Sequence, residues 1–147
     1  MRRIHIASDH AGFALKQTLV RHLTDRGCEV VDDGAFTEES CDYPVMAHKL
    51  CHAVAREECL GILVCGSGLG MSMAANRHSE IRAALCTTEL HASLARRHNN
   101  ANVLCLGARI TGVELAVAIV ATFLESGFES GRHARRIGLL APLAGTQ

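Results

Sequence analysis

A cysteine followed by a glycine-rich loop is the segment of this sequence best suited to chemistry. The loop CGSGLG, residues 65–70, comes directly after the apolar run LGILV at 60–64. Glycines let successive backbone N–H groups turn towards one point, and such groups bind anions together with the start of a helix. The same field favours the thiolate form of Cys65. A thiolate beside an anion-binding loop suits removal of a carbon-bound proton and stabilisation of the resulting enediolate.

The glycine loop also has alternative interpretations. A dinucleotide-binding fingerprint needs G-x-G-x-x-G, and Gly70 stands one position too early to be its third glycine. The Gly-Lys-Ser/Thr of a P-loop is absent. A nucleotide-binding module is therefore the weaker functional alternative. The structural alternative is a tight strand-to-helix turn in which Cys65 is an inert, buried strand end.

Strand-like and helix-like segments alternate along the chain. Short apolar runs predict five strands, at 3–8, 28–32, 61–65, 82–87 and 103–107. Between and after them apolar residues recur at helical spacing, and a last basic segment at 131–140 predicts a tail helix. This alternation predicts an α/β protein with a five-stranded, parallel, Rossmann-like sheet covered by helices on both faces. Such an arrangement is a three-layer α/β/α sandwich.

Titratable residues follow several predicted strands at the edge where such sheets bind ligands. Ligands of parallel sheets bind outside the carboxyl ends of the strands. Asp9 and His10 follow the first strand, Cys65 ends the third and Arg109 follows the fifth. We therefore expect a site at this edge. Asp9 has a structural alternative as a helix cap, a role that is compatible with catalysis.

Composition excludes several classes of protein. The 147 residues predict one domain, 1–147. Fifteen Lys and Arg balance fifteen Asp and Glu, so no basic surface for nucleic acid is expected. No apolar run reaches the roughly 20 residues of a membrane helix, and no signal peptide is expected. Seven cysteines without a CxxC pair predict buried free thiols in a reducing cytoplasm and argue against a zinc site.

Five separated motifs resemble the ribose-5-phosphate isomerase B family, in the same order. They are ASDHAGF, DYP at 42–44, CGSGLGMSMAAN, RRHNNANVLCLGAR and GRHARR. Galactose-6-phosphate and allose-6-phosphate isomerases share that fold. The resemblance covers nearly the whole chain and implies an aldose–ketose isomerase of a phosphorylated sugar that uses no metal or cofactor. It also implies a homodimer with active sites shared between subunits, and leaves open whether dimers pair into tetramers.

The resemblance implies a role for each site residue. Cys65 matches the base that moves a proton between C1 and C2, and Ser67, where many members have threonine, helps to shuttle protons between the sugar oxygens. Asp9 and His98 would assist opening of the furanose ring, with His98 as proton donor. The same resemblance implies that a larger set of residues binds the substrate: His10, Tyr43, Gly66, Gly68, Leu69, Gly70, Asn99, Arg109, Arg132 and Arg136. In that set, the loop backbone holds the enediolate, Asn99 holds a sugar oxygen, and His10 and the arginines bind the phosphate.

Two further expectations concern Cys65 and His98. One subclass of the family replaces the cysteine by a glutamate just after the loop, and Met71 stands there, so the chain matches the cysteine subclass. His98 precedes the fifth predicted strand, which places it at the amino ends of the strands, whereas the glycine loop lies at the carboxyl ends. Topology therefore predicts that a partner subunit delivers His98 to the site of Cys65.

The leading hypothesis is interconversion of ribose 5-phosphate and ribulose 5-phosphate. A hexose 6-phosphate or a four-carbon sugar phosphate is the alternative substrate, since pocket length decides between them. A non-catalytic sugar-phosphate sensor is the rival from another class. A sensor needs the arginines and the glycine loop but has no use for Cys65 or His98.

Overall fold

A computed structural model describes residues 1–141 of this chain and shows strands alternating with helices. The strands are β1 (Arg3–Ser8), β2 (Glu29–Gly34), β3 (Leu60–Cys65), β4 (Ala83–Leu85) and β5 (Val103–Gly107). The helices are α1 (Phe13–Asp25), α2 (Tyr43–Glu57), α3 (Leu69–Ala75), α4 (Glu89–Asn99), α5 (Val113–Glu125) and α6 (Arg132–Gly138). The predicted α/β class and the tail helix are confirmed. The predicted domain ends at residue 147, and residues 142–147 lie outside the described part.

All five strands are parallel and their order in the sheet is β2-β1-β3-β5-β4. The central strand β3 pairs with β1, where Val64 lies opposite Ser8, and with β5, where Cys65 lies opposite Gly107. The carboxyl ends of β1, β3 and β5 are therefore neighbours. This order brings together the segments after these three strands, as the sequence predicts.

Two apolar clusters fill the space on the two faces of the sheet. On one face α1, α4 and α5 pack against the strands, and their buried residues include Leu19, Ala92 and Phe123. On the other face α2 and α3 contribute Leu50 and Met71. Because both faces of the sheet are buried, the strand sequences are nearly continuous apolar runs. The three-layer α/β/α sandwich is confirmed.

The edge strand β4 is shorter than the sequence predicts. It spans only Ala83–Leu85, whereas the pattern predicts 82–87. At its start, the Asn102 side chain accepts the backbone N–H of Arg82 at 2.8 Å. Along its free side, the Asn76 amide accepts the N–H of Ala83 at 2.8 Å and donates to its carbonyl at 2.9 Å. Side chains thus cover an edge that would otherwise expose unpaired backbone groups.

Two expectations from composition concern the cysteines and membrane-spanning helices. The seven cysteines, which all lie within residues 28–105, are free thiols. The prediction that they are buried holds for four of them: Cys51, Cys65, Cys86 and Cys105. Among the helices formed by residues 1–141, none combines the length and the apolar character needed to cross a membrane.

Candidate active site

Cys65 is the last residue of β3, and the glycine loop folds back over its sulfur. The backbone N–H of Gly68 donates to Sγ at 3.1 Å. Gly68 reaches this position with a φ of +79°, in the left-handed region that glycine occupies without steric cost. An N–H group directed at sulfur stabilises negative charge there. The loop therefore fixes the position of the Cys65 sulfur, and its side chain still lines a cavity.

A second hydrogen bond inside the loop involves Ser67. Its Oγ accepts the backbone N–H of Leu69, the first residue of α3, at 3.3 Å. Together with the bond to Cys65, this engages the amides of Gly68 and Leu69 within the loop itself. The binding role expected of these two amides towards a ligand therefore stays a prediction.

Asp9 and His10 follow β1 and are held by backbone groups. Asp9 is buried, and its Oδ1 accepts the N–H of Gly12, the N-cap residue of α1, at 3.0 Å. Its Oδ2 has no hydrogen bond to any residue in the range 1–141. The N–H of Cys41 donates to Nδ1 of His10 at 3.2 Å, so a neutral His10 ring carries its proton on Nε2. Asp9 therefore fixes the turn before α1 but is not its cap, because the N-cap is Gly12 and no side chain of residues 1–141 caps this helix. The helix-cap alternative for Asp9 is wrong, and His10 presents a donor.

Arg109 and Tyr43 complete the surroundings of the loop. The backbone N–H of Arg109 donates to the carbonyl of Gly66 at 2.9 Å, and its guanidinium lies against Gly66. The Tyr43 ring, at the start of α2, lies directly against Gly70. A guanidinium at this position suits a phosphate, because its fork bonds two oxygens at once.

These residues enclose one cavity of about 370 Å³ at the carboxyl ends of the strands. Its lining comprises Asp9, His10, Ala11, Tyr43, Cys65, Gly66, Ser67, Gly70, Arg109 and Ile110. The cavity brings a thiol, a carboxylate, an imidazole and a guanidinium together. That set supplies proton transfer and anion binding in one place.

The remaining predicted site residues lie in a different place. His98 and Asn99 end α4, just before β5 begins, and they line a separate cavity of about 280 Å³. Arg136 of α6 lines the same cavity. Arg132, the first residue of α6, is exposed and lines neither cavity. The two cavities share no residue, so one chain does not bring His98 to Cys65.

Two neighbours of His98, Glu129 and His133, are not marked by the sequence pattern. The His98 ring stacks on that of His133, and Glu129 lies beside both rings. His133 stands inside the GRHARR motif, but a single histidine between arginines carries no distinctive spacing. Only the pairing of α4 with the loop before α6 reveals the cluster.

Two groups of side chains in the described part of the chain have donor atoms close enough to hold a metal ion. One is His98, Glu129 and His133, and the other is His5, Glu57 and Cys59. In the second group both ring nitrogens of His5 are already engaged, by Asp33 at 2.7 Å and Glu57 at 3.1 Å. Arg3 and Arg56 also pair with Glu57, and the contacts of Glu57 with these arginines and with His5 lower its pKa to about 2. This second group is thus a structural ion-pair network.

Gly107, the last residue of β5, tests how tightly the loop must pack. A Cβ at this position would stand 2.6 Å from the backbone carbonyl of Ser67. We expect Gly107→Ala to displace the loop and, since overpacking costs about 1–3 kcal/mol, to lower the Tm by roughly 3–10 °C in a thermal melt. The control is Gly127→Ala, where an added Cβ meets nothing within 4 Å. Equal melting temperatures for the two variants would show that the loop is not packed as described.

The family of this protein follows from comparison with known proteins. A family model described as Ribose/Galactose Isomerase matches residues 4–140. The chain therefore belongs to the ribose/galactose isomerase family, which confirms the resemblance of its five motifs.

Individual relatives make the similarity more specific. The chain is 46% identical over 138 residues to ribose-5-phosphate isomerase B of Escherichia coli (strain K12), covering 93% of each chain. A crystal structure of a ribose 5-phosphate isomerase from Thermotoga maritima is 52% identical, with a TM-score of 0.93 and coverage of 95% of this chain and 97% of that one. Ribose-5-phosphate isomerase B from Mycoplasma genitalium, with bound ribulose-5-phosphate, is 43% identical, with a TM-score of 0.91 and coverage of 94% and 93%.

Proposed function

We propose that this chain is an aldose–ketose isomerase that interconverts ribose 5-phosphate and ribulose 5-phosphate, with Cys65 as the base. The observation that carries the proposal is the position of the Cys65 thiol, in a cavity with Asp9, His10 and Arg109 and under an N–H group of the glycine loop. Relatives named for ribose-5-phosphate isomerase over more than nine-tenths of the chain support the same reaction.

The reaction needs one proton to move between two neighbouring carbons. Cys65 as thiolate takes the proton from C2 of the open-chain aldose, and the electron pair forms the C1=C2 bond, leaving O1 negative. N–H groups of the loop stabilise this enediolate. Ser67 helps to pass the hydroxyl proton from O2 to O1. The Cys65 thiol then returns its proton to C1 while the C2–O bond becomes the carbonyl of the ketose, so the thiolate is regenerated.

The phosphate of the substrate requires cationic partners. Arg109 and His10 line the cavity of Cys65, and their guanidinium and Nε2–H groups suit phosphate oxygens. Arg136 and Arg132 both lie on α6, and Arg136 lines the cavity of His98. In this proposal they bind the same phosphate from the partner subunit.

A shared site in a homodimer explains the separation of the two cavities. Strands β3 and β5 are six and five residues long, so their two ends are roughly 16 Å apart at about 3.3 Å per residue. His98 cannot span that distance within its own chain. A two-fold interface that brings the His98 cavity of one subunit over the Cys65 cavity of the other would complete both sites at once. We propose that arrangement, with His98 donating a proton during ring opening and Asn99 holding a sugar oxygen.

The chemistry of the cysteines supports a proposal for the cellular location. Seven free thiols, one of them the proposed base, fit a reducing compartment. We therefore propose that the protein acts in the cytoplasm.

A panel of substrates tests the proposed activity directly. Ribose 5-phosphate, hexose 6-phosphates and a four-carbon sugar phosphate are offered in an assay that detects the ketose product. We expect turnover of ribose 5-phosphate with the largest kcat/KM. Preference for a hexose or a four-carbon substrate would correct the substrate, and binding without any turnover would favour the sensor hypothesis.

A further inference from the structure

We propose that Glu129 and His133 are positioning residues that hold the imidazole of His98 in one orientation for proton donation. The inference rests on the role proposed above for His98 and adds two residues that act through it. Neither is assigned a role by the motif pattern, and both contact His98 directly.

His133 provides a flat surface for the His98 ring. The two ring centroids lie 4.2 Å apart and the ring planes differ by only 9°. His133 is buried in the first turn of α6, and its backbone N–H donates to the carbonyl of Ser130 at 3.1 Å. His98 is half-buried at the end of α4. The buried His133 ring therefore gives the more exposed His98 ring one surface to stack on.

Glu129 places one carboxylate oxygen opposite both rings. Its Oε2 lies 3.6 Å from Nε2 of His98 and 3.7 Å from Nε2 of His133. These distances are longer than hydrogen bonds, so the contact between the carboxylate and the rings is electrostatic. Because Nε2 of His98 faces Glu129, Nδ1 is the nitrogen left for a ligand.

The carboxylate itself is anchored by the residue next to His98. Arg97 donates from Nε to Oε1 of Glu129 at 2.6 Å, and the backbone N–H of Glu129 donates to the carbonyl of Arg97 at 3.0 Å. The Arg97 guanidinium lowers the pKa of the Glu129 carboxyl, which keeps it ionised at neutral pH. Oε1 of Glu129 is therefore held by Arg97, and Oε2 faces the two histidine rings.

Burial and charge also favour the neutral form of His133. Burial lowers the pKa of His133, and the positive charges of His98, Arg132 and Arg136 lower it further, while Glu129 opposes them. His133 consequently stays neutral near pH 7. A neutral His133 ring adds no positive charge beside the ring of His98.

A double-mutant cycle tests whether Glu129 acts through His98. We expect Glu129→Gln to lower kcat on ribose 5-phosphate by about tenfold, part of the total effect of a general acid, with KM changed less than about twofold. In a His98→Asn background the same substitution should have no further effect. Equal losses in both backgrounds would mean that Glu129 is only structural, which would overturn the proposal.

Matched variants define what each neighbour supplies. Glu125→Gln removes an exposed carboxylate that pairs with Arg26, and it should leave kcat unchanged. His133→Phe keeps a flat ring and should retain most of kcat, whereas His133→Ala should lose about as much as Glu129→Gln. Equal kcat values for His133→Phe and His133→Ala would show that stacking on the ring at position 133 does not orient His98, which would overturn that part of the proposal.

An NMR readout separates this proposal from the proposed function. The ring Cε1–H signal of His98, assigned by its loss in His98→Asn, should shift in Glu129→Gln and not in Glu125→Gln. An unshifted signal together with unchanged kcat would overturn the positioning role even if His98→Asn is inactive. Full activity of His98→Asn would instead overturn the proposed role of His98, and the signal would still report whether Glu129 orients the ring.

Discussion

Cys65→Ala is expected to lower kcat/KM for sugar-phosphate isomerisation by about a thousandfold, because a positioned proton-transfer group contributes about 10²–10⁴. The sulfur lines the cavity and accepts the N–H of Gly68 in the glycine loop. Alanine keeps the small volume of the side chain but removes the atom that accepts the proton. Binding of the substrate should change far less, because the loop backbone and Arg109 remain.

Steady-state kinetics with a buried cysteine as control tests this expectation. Cys86→Ala removes another buried thiol, which burial holds protonated by raising its pKa to about 12. That variant should retain wild-type kcat/KM. Thermal melts of both proteins check that the fold is intact. Wild-type turnover by correctly folded Cys65→Ala would reject the assignment of the base.

Mixing two inactive variants is expected to restore activity. If each site combines Cys65 of one subunit with His98 of the other, a heterodimer of Cys65→Ala and His98→Asn has one intact site and one that carries both defects. Random exchange of equal amounts makes half of the dimers mixed, so about a quarter of wild-type activity should return. If Cys65→Ala loses about a thousandfold and His98→Asn at least about a hundredfold, this is an increase of roughly fortyfold or more over the unexchanged mixture.

The matched control for this experiment is a pair of variants damaged in the same cavity. Cys65→Ala mixed with Asp9→Asn should recover nothing, since both residues line the cavity of one chain and each mixed site carries a defect. Native mass spectrometry of the mixture shows whether subunits exchanged. Confirmed exchange with no gain of activity for Cys65→Ala and His98→Asn would contradict a shared site.

The sequence by itself determined the order of the elements and the edge where the site lies. Alternating apolar runs predicted five parallel strands and the layers around them, because each such run must be buried between helices. The ends of three of these strands placed Asp9, Cys65 and Arg109 together, and one cavity contains all three. Local pattern suffices for this, since a parallel sheet brings its carboxyl ends to one edge.

Only the tertiary structure decided the contacts between distant segments. The hydrogen bond from the Gly68 N–H to the Cys65 sulfur depends on a left-handed turn that packs against β5. Glu129 contacts Arg97, although the two residues are 32 positions apart in the sequence. Likewise, His98 meets His133 because α6 packs against α4. Such pairs leave no periodic signal, because their partners are set by how helices dock rather than by spacing along the chain. Chain topology predicted that His98 would lie away from Cys65, but the neighbours that hold its ring became visible only in the folded chain.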